Sequence, residues 1–363
     1  MEIWFYETTD SGFLSLKGIT DKINSLHITR SFLSGDTFTL TLPETPKNYR
    51  FAVSDEILEV PGVFSGYVTA VSIGENTSGT GEIVLKGSSF DKLLSRRILI
   101  SGTSSDSFMT VLEKNAGESA GELRSFPCTY FDKETDCDGM LADGLYYVNM
   151  GTYRQTVSNS KMIGLKSEIE HSEEGARVRI YGRYGEDRSA VGNSSNPVVI
   201  SDAYGNVTDT EYNYNESGGI NGAYIYSDVK YNSVGQITCK AWSKTFGSVS
   251  GFGRCESVYK IDPAIYYEAT AYGESVVWSP VLDKEGTEKK AENYFISHSS
   301  SFTDCCTAVL RLKGKSSMGF EVGDKISLYS KRLGRAVHET VYKAQEDYED
   351  GAHYVSVYIG PSD

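Results

Sequence analysis

The sequence predicts a β-rich α+β fold, and three observations carry that reading. Apolar residues alternate with polar ones at a period of two through much of the first hundred residues, which gives each strand one buried face. The chain holds 25 Tyr and 36 Gly but only 8 Pro among its 363 residues, and Tyr, Thr, Val and Gly favour strands and turns. Helical periodicity is confined to a few short stretches. A chain of 363 residues is too long for one ordinary core and suggests two or three domains.

Strands are expected at Ile3 to Tyr6, Ser25 to Ser31, Thr37 to Leu42, Glu56 to Val60, Tyr67 to Ile73 and Glu82 to Lys86. In the second of these Leu26, Ile28 and Arg30 alternate with His27, Thr29 and Ser31. In the third Phe38, Leu40 and Leu42 alternate with threonines, and Ser34-Gly35-Asp36 between the two is a turn signal, so the pair reads as a hairpin. Serines ahead of Phe90, Leu93 and Leu94 predict a short helix ending at Arg96 and Arg97. A second helix fits Ser105 to Glu113 and a third, longer one runs from about Tyr153 to His171. The stretch Arg177 to Arg183 alternates again and reads as a strand; Pro197 to Asp262 reads mostly as Tyr-rich strands, and Lys289 to Ile296 as a last helix.

A weak internal repeat runs through this pattern. Residues 55–87 read DEILEV, a turn, GYVTAVSI, a turn and GEIVLKG; residues 324–360 read DKISLY, a turn, AVHETVYKA, a turn and HYVSVYIG. Each copy is expected to form a three-stranded meander closing on Gly.

Composition narrows the chemistry. A net charge of −14 argues against gripping a phosphate backbone, because that affinity comes largely from Lys and Arg. No run of about 18 apolar residues and no basic leader followed by an apolar stretch occurs, so neither a membrane span nor export by the usual signal is expected. The six cysteines form no Cys-x-x-Cys pair, which leaves metal-ligand spacing absent and reduced thiols as the reading.

Catalytic motifs fare no better. Neighbouring carboxylates such as Glu186-Asp187, Asp132 with Glu134 and Asp136 with Asp138 are what chance gives among 49 acids, although a glycosidase would need such a pair. None of the five histidines lies in a Gly-x-Ser-x-Gly elbow or a His-Glu-x-x-His helix. DKETDCDG (Asp132 to Gly139) lacks the frame and closing Glu of a calcium loop. The tyrosines between Tyr204 and Tyr231 suit either a sugar platform or a subunit interface. No cofactor and no metal is expected.

Three blocks of sequence resemble the siphophage tail hub proteins, also described as the first module of tail-associated lysins and similar to baseplate hub proteins of contractile tails. The first comprises SLHITRSFLSGDTFTLTLPETPKN (Ser25 to Asn48), FSGYVTAVS (Phe64 to Ser72) and KGSSFDKLLSRRIL (Lys86 to Leu99). The second comprises YGEDRS (Tyr184 to Ser189), the segment Val199 to Ile225 and GFGRCES (Gly251 to Ser257). The third is FEVGDKISL (Phe320 to Leu328). Segments 121–151 and 262–284 carry no matching pattern.

The resemblance implies two similar β-barrels with a mixed α/β domain between them: a first barrel over 1–100, an insert over 101–185 and a second barrel over 186–363 with a helix near 285–298. It implies a non-enzymatic baseplate or tail-tip protein whose homotrimeric ring closes the tail tube and connects it to distal components. Implied partners are a tail tube or distal tail protein hexamer, a tape-measure protein, and tail fibre or spike proteins, in the virion tail after assembly in the bacterial cytoplasm. An acidic lumen would let DNA slide without sticking. Carried over as structural motif residues are Arg30, Gly35, Phe38, Arg96, Arg97, Asp187, Arg188, Asn206, Arg254, Gly323 and Asp324. For Asp187 and Arg188 the resemblance implies an ion pair that is buried or fixes a turn. The sequence given ends directly after its last strand, so no hydrolase extension is expected. The other reading left open is a tail-tip cell-wall hydrolase or glycan-binding protein.

Overall fold

The computed structural model describes residues 1–75, 79–103, 105–139, 148–192, 195–204, 207–214, 220–228, 230–231, 237–239, 241–248, 254–272, 275–299, 306–312, 319–330, 334–349 and 352–360. They divide into two compact units, Met1–Tyr212 with Ala308–Asp363, and Asn213–Thr307.

The first unit opens with β1 (Ile3–Thr8), β2 (Leu14–Thr20), β3 (Ser25–Ser31) and β4 (Thr37–Pro43). Next come β5 (Ile57–Val60), β6 (Phe64–Glu75), β7 (Gly81–Ser88) and a 3-10 helix at Phe90–Arg96. Then follow α1 (Phe108–Ala116), β8 (Thr129–Asp132), α2 (Met150–Lys161), β9 (Ile163–His171), β10 (Ala176–Tyr184), β11 (Val199–Ser201) and β12 (Val207–Tyr214). The second unit holds β13 (Gly222–Ser227), β14 (Lys230–Tyr231), β15 (Ile237–Cys239), β16 (Trp242–Phe246), β17 (Glu256–Lys260), β18 (Ile265–Tyr272), β19 (Ser275–Leu282) and α3 (Lys284–His298). The chain then returns to the first unit with β20 (Cys306–Leu312), β21 (Lys325–Ser330), β22 (Arg335–Glu349) and β23 (Ala352–Ile359).

The β-rich class holds, and so do both meanders. β5, β6 and β7 pair antiparallel in sequence order, as do β21, β22 and β23. The repeat extends further than the sequence suggested. One set of strands lies in the order β3-β4-β7-β6-β5-β1 and the other in the order β12-β20-β23-β22-β21-β11, position for position. The last pair differs, because β1 runs antiparallel to β5 whereas β11 runs parallel to β21. The two sets join where β22 pairs with β3.

The long middle strand of each meander breaks register at the same point. β6 skips Thr69 between Val68 and Ala70 against β7, and β22 skips Tyr342 between Val341 and Lys343 against β23. Such a bulge bends a strand and lets it pass from one neighbour to another. The entry turns correspond as well. Asp55 N donates to Val68 O at 2.8 Å and Val68 N to Glu56 O at 2.8 Å, while Gly323 N donates to Val341 O at 2.7 Å and Val341 N to Asp324 O at 2.9 Å. Asp55 and Gly323 both have positive φ, 63° and 102°. This places Gly323 opposite Asp55 and Asp324 opposite Glu56, one residue off the Asp-charged-Ile match in the sequence. Burial agrees, since Leu58 and Val60 fill one core and Ile326 and Leu328 the other.

The first unit has three cores. Leu26, Ile28, Phe38, Leu40, Ile83 and Leu85 fill one and Val341, Ala344, Val355 and Val357 another. Burying such a side chain contributes about 1.5–3 kcal/mol. A third core packs α1 and α2 against β9 and β10 through Phe108, Leu112, Tyr153, Ile163 and Ile180.

The helix expected over 153–171 is corrected: α2 ends at Lys161, Met162 turns left-handed with φ 52°, and β9 follows. The reason lies in the local period, because Ile163, Leu165 and Ile169 are buried while Lys166, Glu168 and Glu170 are not. The helix expected at Ser105–Glu113 sits slightly later, and the one after Ser89 is 3-10.

In the second unit β13 lies between β16 and β17. Ala223, Ile225 and Ala291 form its small core, with Phe246, Tyr259 and Phe295 packed around them. The helix expected near 285–298 is α3, capped by Asp283, whose side chain accepts from Gly286 N. No described helix is long and apolar enough to cross a membrane.

Candidate functional site

A cleft of about 580 Å³ opens in the first unit where the two sets of strands meet. Its walls are charged, and the alternation of the strands explains how. Arg30 leaves β3 and meets Glu346 of β22, Asp36 at 3.6 Å and the carbonyl of Val63 at 2.6 Å. Glu346, whose carboxylate is 6% exposed, also accepts from Tyr348 Oη at 2.9 Å and lies 3.3 Å from His353 Nε2. Burial would push the Glu346 carboxyl up, but Arg30, Tyr348 and His353 together hold it below its ordinary range. For Asp36 burial prevails over Arg30, and its carboxyl is pushed up.

β9 and β10 supply the opposite wall. Lys166 and Arg183 both reach Glu321, and Arg183 also meets Asp324 at 3.0 Å. Burial, with Arg183 and Arg30 close by, lowers the Lys166 ammonium to about 8. At the cleft floor Arg154 of α2 meets Asp91 at 2.8 Å, the pair being 5% and 1% exposed.

Every charge that the geometry turns inward finds an opposite charge. No nucleophile stands beside a base in this network, and among the described residues no group of three His, Cys, Asp or Glu side chains could hold a metal ion. The arrangement joins elements: β3 to β22, β10 to the turn before β21, and α2 to the 3-10 helix.

The structure brings several motif residues to this cleft. Arg30 is a member, and Gly35 (φ 76°) lies so close to it that a Cβ would sit 2.5 Å from Asp91 Oδ2. Phe38 packs beneath it, 5.4 Å from the Phe64 ring and against Gly87. Asp324, 1% exposed, accepts from the backbone N of Glu186 at 3.1 Å and of Glu321 at 2.9 Å. Gly323 allows that turn, since a Cβ there would meet Phe32 at 2.4 Å.

Asp187 and Arg188 depart from expectation, because they do not pair with each other. Asp187 accepts from Ser189 Oγ at 2.6 Å and Ser189 N at 3.0 Å, which hold its carboxyl below the usual range. Arg188 instead donates to Gly319 O at 2.8 Å and stands 3.9 Å from Asp324. The neighbouring residues of a strand-like segment point to opposite sides, which separates the two charges.

The remaining motif residues lie elsewhere. Arg96 and Arg97 end the 3-10 helix as expected for a helix C-terminus: Arg96 meets Asp55 at 3.2 Å and stands over Tyr67, while Arg97 donates to Arg124 O at 2.7 Å and stands over Phe126. Arg254 braces the second unit by donating to Glu256 at 2.5 Å and Phe246 O at 3.0 Å. Asn206 lies outside the described residues. In DKETDCDG, Asp132 is held by Arg179 and Asp136 accepts from Met109 N at 2.9 Å.

Sequence reasoning missed Asp91, Arg154, Lys166, Arg183, Glu321 and Glu346. One signal was available: Arg177, Arg179 and Arg183 occupy alternate positions on one strand, which requires acids opposite that face, and Glu118, Asp132 and Asp324 fill the role.

This architecture is found in solved phage tail proteins. The tail protein from Neisseria meningitidis MC58 is similar with a TM-score of 0.61 at 10% identity, covering 99% of this chain and 97% of that one. The 43 kDa tail protein of prophage MuSo2 from Shewanella oneidensis reaches 0.59 at 10% identity, covering 99% and 98%. The prophage tail protein gp18 from Listeria monocytogenes EGD-e reaches 0.56 at 10% identity, covering 99% and 94%. Identities this low show the shared fold. No curated protein matches the chain. Residues 1–233 match the model of the Siphovirus ReqiPepy6 Gp37-like proteins, a siphovirus tail protein family. With well over half of its residues inside that match, on a phage tail-protein fold, the chain belongs to the family of Siphovirus ReqiPepy6 Gp37-like proteins.

Proposed function

We propose that this chain is the hub of a phage-type tail tip, in which three copies form a ring that closes the tail tube and connects it to distal tip or fibre components. The observation that carries the reading is the repeated strand order within one chain. In this reading each set of six strands makes one barrel, with the mixed α/β segment between them. Three copies would then offer six similar units to a sixfold tube, which removes the symmetry mismatch between a trimer and a hexamer. The cleft supports a structural role, since its charges are spent on one another and on fixing the two sets of strands together. Partners in this reading are the tube or distal tail hexamer, the tape-measure protein, and fibre or spike proteins, with an acidic lumen that repels DNA.

The test is electron microscopy of the purified chain, alone and mixed with the tube protein encoded beside it. Threefold rings with six similar lobes that cap tube ends support the hub. A chain that stays single at all concentrations and leaves tube ends bare overturns it.

A further inference from the structure

The second unit leaves one surface without a cover. β18 and β19 pair in a ribbon with Ile265 opposite Leu282, Tyr267 opposite Pro280, Ala269 opposite Trp278 and Ala271 opposite Val276. All eight residues fall on one face, and none is charged. Trp278 is 64% exposed, Tyr267 60% and Val276 57%, and both alanines are exposed too. The other face is mixed, with Tyr266 donating to Glu268 at 3.1 Å.

Among the described residues the two strands form a ladder only with each other. An isolated two-stranded ribbon is marginal in water. The unit's own core cannot shield it, because Ala223, Ile225 and Ala291 gather against α3 instead. Something outside the chain completes the ribbon.

We infer that a second copy of this chain docks on the apolar face of the β18–β19 ribbon, a contact that rests on the trimeric reading above. Charge selects this occupant. A foreign protein chosen by an acidic chain would be drawn by complementary basic groups, and this face has no charge with which to choose one. Two copies that each carry a net charge of −14 repel, and an uncharged face is where they can approach at least cost. A sugar would need hydrogen-bonding groups beside the aromatic rings, and here only the Tyr267 hydroxyl is polar. Tyr and Trp with aliphatic neighbours, free of charge, are the composition of the dry centre of a lasting protein contact. Strands of eight residues make a strip about 27 Å long, which supplies the centre of such a contact and leaves the rim to other surfaces.

The test uses the full chain at rising concentration, with mass read by sedimentation velocity. Wild type assembles, whereas Trp278→Glu weakens assembly about 100-fold or more while keeping a cooperative melt. Ile73→Glu, at an exposed apolar site of the first unit, assembles as wild type does. Hydrogen exchange of the wild type provides a readout that needs no variant: amides of 265–271 and 276–282 slow on assembly. If wild type and Trp278→Glu assemble alike, or the ribbon amides keep their rates on assembly, the docking face is wrong and the trimer stands. A variant that assembles normally but no longer binds peptidoglycan assigns the face to glycan and equally overturns the inference. A wild type that never assembles removes the trimer and this contact with it.

Discussion

Lys166 is held on the basic side of the cleft by a fold that would prefer it neutral. Its pKa of about 8 lies below the value of about 10.4 for an unfolded lysine. Between those limits the unfolded chain binds more protons than the folded one, so stability rises with pH through that window and the burden is complete below pH 8. Lys166→Met is therefore expected to be more stable than wild type at pH 7, with Arg183 left to hold Glu321. The advantage should shrink from pH 8 upward and vanish near pH 10.5; urea midpoints of the two proteins across that range check it. The Arg154–Asp91 pair behaves oppositely. Both groups are almost fully buried, so Asp91→Ala strands a charge and is expected to lose about 3–5 kcal/mol, whereas replacing both by apolar residues recovers most of it. Calorimetry of the single and double variants separates these outcomes. Such pairs were illegible in the sequence because a charge on a strand or helix face looks the same whether it meets water or a partner some 60 residues away. The turn at Gly35 was legible, since Ser-Gly-Asp between two alternating strands has few other uses.

At the level of elements, the two entry turns share a backbone and differ in their surroundings. Asp55 sits at φ 63° in the open, and Gly323 at φ 102° against the Phe32 ring. Asp55→Gly should stay within about 1 kcal/mol of wild type, because glycine accepts that conformation and the exposed contact with Arg96 contributes little. Gly323→Ala should lose about 2 kcal/mol or more through backbone strain and the clash. Thermal melts of the two variants test the pairing of these positions, and equal effects would argue against it. The strands of the first repeat could be read directly from period two. β9 could have been, since Ile163, Leu165 and Ile169 alternate with charged residues, but the helical spacing of Tyr153 and Val157 just before it draws the reading past Lys161. Only the left-handed Met162 marks the change, and methionine gives no warning of it.

Over the whole molecule, the second unit enters at the place where the first repeat has its tightest turn. β3 and β4 are joined by Phe32–Asp36, whereas their counterparts β12 and β20 are joined by the entire second unit yet remain neighbours in the sheet. Replacing residues 215–304 by an Asn-Gly turn is expected to leave a first unit that folds and melts cooperatively, as circular dichroism and calorimetry would show. Loss of cooperativity would mean that β12 and β20 depend on the inserted unit. That insertion hid the extent of the repeat from the sequence: the meanders share a visible pattern, but the strands that flank them are separated by unequal lengths of chain. The seam between β3 and β22 has a consequence in time. His27 and Asp347, 2.6 Å apart across it, are separated by 320 positions. At a ribosomal pace of about 5–20 residues per second, β3 waits roughly 15–60 s for its partner. During that interval the newborn first repeat exposes an unpaired strand edge, the usual starting point for aggregation. Its alternate residues there are Ser25, His27, Thr29 and Ser31, a polar row that lets the nascent chain wait without adhering to its neighbours.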